Sequence, residues 1–159
     1  MNAIAEDALN VELGRRYRFA ASHRLHSARL SEEENSRLYG KCNNPHGHGH
    51  NYIVEVSLSG EIDPATGMIV NLADLDGFVE REVIEIFDHR SLNDEVSAFR
   101  EQVPTTENLC MEIFRRLRAF PKAKLERVRV QETNNNSFEY AGDDEVEVPI
   151  RGPEKMDAR

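Results

Sequence analysis

The sequence predicts an α+β domain: a four-stranded antiparallel sheet with two helices on one face. Three observations carry this. Apolar residues alternate with period two near the start of the chain and again from His48. Two segments of helical period fill the middle, and two short strand-like runs follow them. The order strand, strand, helix, helix, strand, strand places hairpin-like neighbours at each end, which suits an antiparallel sheet. A single sheet of this kind leaves open edges, which association of copies would cover.

In the first strand the odd positions read Val11, Leu13, Arg15, Tyr17, Phe19 and Ala21, with mostly charged or small residues between them. That alternation describes a half-buried strand and carries His23 onto its apolar face. Ser31 to Asn35, with three consecutive glutamates, reads as a polar stretch leading into the loop Gly40-Lys41-Cys42-Asn43-Asn44-Pro45. In the second strand the even positions are His48, His50, Tyr52, Val54, Val56 and Leu58. Asp63-Pro64-Ala65-Thr66-Gly67 has the composition of a turn. Leu72, Leu75, Phe78, Val79, Val83, Ile86 and Phe87 recur at helical spacing, so a helix is expected from Asp74 to about Phe87. A second helix opens at Pro104-Thr105-Thr106-Glu107, with a threonine N-cap and Glu107 in the first turn, where a negative charge is favourable. It buries Leu109, Ile113, Leu117 and Phe120 and stops at Pro121. Leu125 to Thr133 forms the third strand, with Val128, Val130 and Glu132 on one face. Asn134, Asn135 and Asn136 turn the chain into a fourth strand around Phe138-Glu139-Tyr140. The expected domain covers residues 11–141, between a flexible N-terminus (1–10) and a charged C-terminal extension (142–159).

Composition excludes several classes. The 159 residues suit one modest core, and 31% charged with 39% hydrophobic residues is ordinary for a globular domain. A formal net charge of −9 with no basic stripe argues against a nucleic-acid partner, although a local pocket for a small anion is compatible with it. No apolar run reaches the roughly 18 residues of a membrane span. Met1 to Asn10, with Glu6 and Asp7, lacks a signal-peptide core. Two cysteines, Cys42 and Cys110, are too few for a disulfide framework, so the default address is cytoplasmic.

The histidines carry the chemistry. His48 and His50 lie two apart on a strand and point the same way, and His23 on the neighbouring strand can close a triangle. Three imidazoles with a vacant fourth position describe a catalytic zinc site. His46 is also in phase, so spacing alone does not decide which three bind. Cys42 lies in the loop just before them, where a cation would ease loss of its proton; the plainer reading is a surface cysteine. Cys110 falls within the second helix and reads as a core or boundary residue. Asp88-His89 reads either as a carboxylate orienting an imidazole for proton transfer or as a helix-end capping arrangement. Glu132 shares a face with Val128 and Val130, where an unpaired carboxylate is costly. Either the strand has left the core there, or the carboxylate anchors N–H donors.

Together these segments resemble the 6-pyruvoyl-tetrahydropterin synthase family, from about Arg15 to Tyr140. The resemblance rests on Phe19-Ala20-Ala21-Ser22-His23-Arg24-Leu25 and most specifically on the run Gly40 to Tyr52. Gly60 to Met68, Asn71 to Leu75, Asp88-His89, Thr105-Thr106-Glu107 and Gln131-Glu132-Thr133 follow in the same order. It implies the T-fold, in which three four-stranded sheets close a twelve-stranded barrel and two trimers stack as a homo-hexamer. By the same resemblance His23, His48 and His50 correspond to zinc ligands, while His46 stands at a variable position. Cys42 matches the catalytic thiol, and Asp88 with His89 its partner pair, contributed across a subunit boundary. Glu132 corresponds to the carboxylate that anchors the pterin, with Thr105, Thr106 and Glu107 lining the pocket. The implied reaction converts 7,8-dihydroneopterin triphosphate to 6-pyruvoyl-tetrahydropterin and inorganic triphosphate, with zinc as Lewis acid.

That reaction is an internal redox, and the chain has no Gly-x-Gly-x-x-Gly run for a nicotinamide or flavin. Arg24, Lys41 and Arg90 are candidates for the triphosphate by proximity alone. The nearest alternative activity is 6-carboxy-tetrahydropterin synthase, which shares fold, zinc, thiol and substrate; Asn43-Asn44-Pro45 and the Asp63 to Met68 turn favour the pyruvoyl enzyme. A zinc- or pterin-binding protein without turnover is a third reading, against which Cys42, Asp88 and His89 all stand.

Overall fold

The computed structural model describes residues 10–143. The expectations for the N-terminus and the C-terminal extension therefore lie outside the described residues, except at Asn10, Gly142 and Asp143. Strand β1 (Asn10–His23) pairs antiparallel with β2 (His48–Glu61) along its whole length, from Asn10 opposite Glu61 to His23 opposite His48. Burial on β1 deepens along the strand: Val11 is exposed, whereas Phe19, Ala21 and His23 are buried. The hydrophobic end of the hairpin is therefore also its histidine end.

The sheet has five strands in the order β3-β1-β2-β4-β5, which corrects the four-strand expectation. The extra strand, β3 (Arg90–Ser91), runs parallel to β1 at Ala21 and Ser22. Two residues are too few to show alternation. The preceding Asp88-His89 creates this strand by binding the backbone of Ala20, which no local pattern reveals. Strands β4 (Lys124–Thr133) and β5 (Asn136–Tyr140) complete the other side, both antiparallel.

Helix α1 (Glu32–Tyr39) replaces the polar stretch expected after Ser31. Its start is a capping box: the Ser31 hydroxyl accepts from Glu34 N–H, and the Glu34 carboxylate accepts from Ser31 N–H. Asn35, fully buried, donates to the carbonyls of Ser27, Leu30 and Ser31 and accepts from Ser27 N–H. The helix is held by polar bonds rather than an apolar face, so hydrophobic periodicity could not show it.

The expected middle helix begins two residues early, as α2 (Leu72–Val79) capped by Asn71. It continues through one wide π turn, Glu80–Ile84, into α3 (Glu85–Phe87). Leu75, Val79, Val83 and Phe87 are all buried at strict four-residue spacing. At about 3.6 residues per turn each such step overshoots by about 40°, and the wide turn brings the row back over the sheet. A short α4 (Leu92–Glu95) follows, then α5 (Thr106–Leu117), whose N-cap is Thr105, the first of the two threonines expected there. These helices pack on one face of the sheet, against Tyr52, Val54, Val56, Leu58, Val128 and Val130. Among the described residues, no helix is long and apolar enough to cross a membrane.

Candidate active site and metal centre

Three histidines meet where β1 ends and β2 begins. The ring nitrogens of His23, His48 and His50 available as ligands lie within 4.8 Å of one another, with His23 Nε2 and His48 Nε2 3.2 Å apart. His23 is 2% exposed, and its Nδ1–H donates to the Pro104 carbonyl at 2.9 Å. A carbonyl only accepts, so the proton sits on Nδ1 and the Nε2 lone pair faces the other two rings. Burial lowers the pKa values of His23 and His50, which favours the neutral form that a cation requires. His50 Nε2 is buried without any hydrogen-bond partner. A buried imidazole nitrogen without a partner is costly, and a metal ion held with the other two rings would satisfy it, so the residues fit one.

His46, in phase by count, is not part of the group. Gly47 takes a φ of +70°, which breaks the strand alternation, and β2 begins only at His48. A Cβ on Gly47 would also lie 3.0 Å from the His23 carbonyl oxygen, so glycine is required for the two chain segments to close. His46 is left exposed.

Glu132 faces the triad. Its Oε1 is 3.6 Å from His50 Nε2 and 3.7 Å from His23 Nε2, and the side chain is 15% exposed. Thr106 Oγ1 donates to Oε1 at 2.8 Å and Asn136 Nδ2 donates to Oε2 at 3.1 Å. The N-terminal turn of α5 therefore serves both parts of the site, through Pro104 to His23 and through Thr106 to Glu132. Of the other residues expected here, Thr105 is spent on the helix cap. Glu107 is exposed and makes no side-chain hydrogen bond among the described residues.

Cys42 sits in a single 3₁₀ turn, Gly40–Asn43, and is partly buried. Its carbonyl accepts from Leu25 N–H. Asn43 Nδ2 donates to the Leu25 carbonyl at 2.8 Å and lies 3.1 Å from His26 Nδ1. Arg24 Nε donates to the Asn43 carbonyl. These bonds hold the thiol loop against the chain leaving the His23 strand. Burial, and then the Glu132 charge, push the thiol above its ordinary value.

The Asp88-His89 pair is anchored rather than mobile. Asp88 Oδ1 accepts from Ala20 N–H at 2.8 Å, Asp88 Oδ2 is 2.8 Å from His89 Nδ1, and His89 N–H donates to the Ala20 carbonyl at 2.6 Å. His89 adopts a φ of +57°, a conformation held by those backbone bonds. Its side chain is 82% exposed. It lines a shallow depression together with His50, yet no hydrogen bond joins it to the three histidines within one chain.

Residues 12–143 match the 6-pyruvoyl tetrahydropterin synthase family. The chain is 50% identical to human 6-pyruvoyl tetrahydrobiopterin synthase over 133 residues, which is 83% of this chain and 92% of the relative. The chain belongs to the 6-pyruvoyl tetrahydropterin synthase family. Its fold agrees with the solved structure of Caenorhabditis elegans 6-pyruvoyl tetrahydropterin synthase, at a TM-score of 0.81 and 41% identity, covering 85% of this chain and 97% of that one. A 6-carboxy-5,6,7,8-tetrahydropterin synthase from Haemophilus influenzae is more distant, at 25% identity over 64% of this chain and 84% of its own. Pro104, Asn43 and Asn136, which orient the histidine, thiol and carboxylate, were not singled out by sequence reasoning. They read as the opening of a helix, a loop asparagine and a turn asparagine, and only their placement across the fold reveals these contacts.

Proposed function

We propose that this chain converts 7,8-dihydroneopterin triphosphate to 6-pyruvoyl-tetrahydropterin and inorganic triphosphate, as a zinc-dependent carbon–oxygen lyase. The observation that carries the reading is the Glu132 carboxylate, held by two donors and facing the unpartnered nitrogen of His50. A carboxylate accepting two parallel N–H bonds suits the amino-pyrimidine edge of a pterin. On this reading the substrate side chain extends toward His23, His48 and His50. Zinc held by these three residues would supply Lewis acidity toward the side-chain hydroxyls.

Cys42, fixed by the Asn43 and Arg24 bonds, first gives its own proton to solvent, which a bound cation would ease, and as the thiolate accepts the proton lost from the side-chain carbon. His89, whose Nδ1 is held by Asp88, presents its other ring nitrogen outward and exchanges protons on the opposite side of a substrate bound between chains. The two side-chain hydroxyls become carbonyls while the ring takes up hydrogen, so no external oxidant enters. A homo-hexamer built from two trimers suits this arrangement, since His89 is exposed on its own chain. Mass spectrometry of the product from 7,8-dihydroneopterin triphosphate, with zinc loaded, tests the reading. The 6-pyruvoyl product and triphosphate are expected; a 6-carboxy product with acetaldehyde, or no turnover, would refute it.

A further inference from the structure

Glu132 owes its direction to a bulge. Gln131 pairs with Ser137 and Thr133 pairs with Asn136, so β4 advances two residues where β5 advances one and Glu132 is the extra residue. An extra residue is free of the ladder and is aimed by side-chain contacts instead. The turn supplies them. Thr133 Oγ1 donates to Asn136 Oδ1, which fixes the amide with its NH₂ toward Glu132. Asn136 Nδ2 then donates to Glu132 Oε2, while Thr106 donates to Oε1 from α5.

From this geometry we infer that Asn136 is a positioning residue for substrate recognition, acting through Glu132. The inference rests on the reading of Glu132 as the pterin anchor. Each carboxylate oxygen has two lone pairs. Thr106 occupies one on Oε1 and Asn136 one on Oε2, which leaves one on each oxygen for a ligand. A pair of N–H donors on a flat heterocycle needs both at once, so rotation of the carboxylate by a fraction of a turn loses one bond. Thr106 alone fixes one oxygen and leaves the group free to swing about it. Asn136 removes that freedom.

The test uses metal-loaded full-length protein and titrates 7,8-dihydroneopterin, which has no phosphate to eliminate, alongside KM and kcat for the triphosphate substrate. Asn136→Ala is expected to weaken binding by about 3- to 10-fold, the scale of one lost hydrogen bond. Asn136→Asp keeps the acceptor for Thr133, and with it the turn, but sets a carboxylate against Glu132; its loss is expected to be larger still. In both, KM rises while kcat stays within about twofold, and bound metal is unchanged. In a Glu132→Gln background the further loss from Asn136→Ala is expected to vanish, because two residues acting through one contact are not additive. Binding within twofold of wild type in both Asn136 variants, or an Asn136→Ala loss as large in the Glu132→Gln background, overturns the inference. Glu132→Gln that binds 7,8-dihydroneopterin normally overturns the anchor reading itself, so the two failures are distinguishable.

Discussion

The Nδ1–H of His23 donates to the carbonyl oxygen of Pro104, 81 residues further along the chain. This bond ties the end of β1 to the residue before the α5 N-cap. Thr106, two residues on, reaches Glu132. One helix start thus sets the tautomer of an imidazole in the three-histidine group and the orientation of the carboxylate beside it.

The metal centre is expected to lose its ion when any one of His23, His48 or His50 is changed to alanine. His46→Ala is expected to keep it, because that side chain lies outside the group. Metal content by atomic emission, measured on purified protein after zinc loading and desalting, checks this. Full loss on His46→Ala would place the wrong nitrogen at the centre.

Cys42→Ala is expected to retain metal and substrate affinity while losing most of the turnover, since the thiolate acts only as the proton moves. Without metal, burial and then Glu132 hold this thiol above its ordinary value. Iodoacetamide should therefore modify Cys42 slowly in the metal-free protein and faster once zinc is bound. Cys110, 1% exposed and pushed up to about 12 mainly by burial, should lag in both states. Peptide mapping gives the two rates, and a zinc-independent rate at Cys42 would contradict the expected coupling.

Light scattering is expected to report a trimer or hexamer. Strand β5 pairs with β4 alone among the described strands, which leaves its outer edge open for a neighbour. If Cys42 and His89 serve one site from different chains, Cys42→Ala and His89→Ala proteins are each inactive but recover activity when dissociated, mixed and reassembled. No recovery in verified mixed oligomers would put both residues on one chain's site.

Glu112 offers a test of stability independent of the site. On α5 it accepts from Arg115 and Arg116 at 2.7–2.8 Å and is 8% exposed. Burial alone would raise its carboxyl, but the two guanidinium groups more than offset this and hold it below 4.5. A carboxyl lowered in the folded state contributes stability above its unfolded value, and that contribution fades as pH falls through the folded value. Glu112→Gln should cost about 1–3 kcal/mol at neutral pH. In urea titrations the gap to wild type should narrow below pH 4.5. A gap that persists well below that pH would show that packing, not charge, accounts for the loss.

The sequence by itself determined the α+β class, the faces of β1 and β2, and the N-cap of α5. Those depend on local alternation and on one threonine, both readable from neighbours in the chain. It also brought His23, His48 and His50 to a common face, because a strand's two-residue period is set by the backbone. Tertiary structure decided the remainder. It supplied the physical reason that His46 stands apart, the left-handed Gly47, which no count of positions anticipates. It made α1 a helix through the Ser31-Glu34 capping box and the buried amide of Asn35, whose partners are carbonyls rather than an apolar surface. It added β3 because Asp88 and His89 capture the backbone of Ala20, more than sixty residues earlier. Glu132 also needed the fold: its burial is tolerable only because Thr106 and Asn136 arrive from two other elements to satisfy it. Hydrogen bonds between distant segments leave no periodic trace in a sequence, and they are what orient this site.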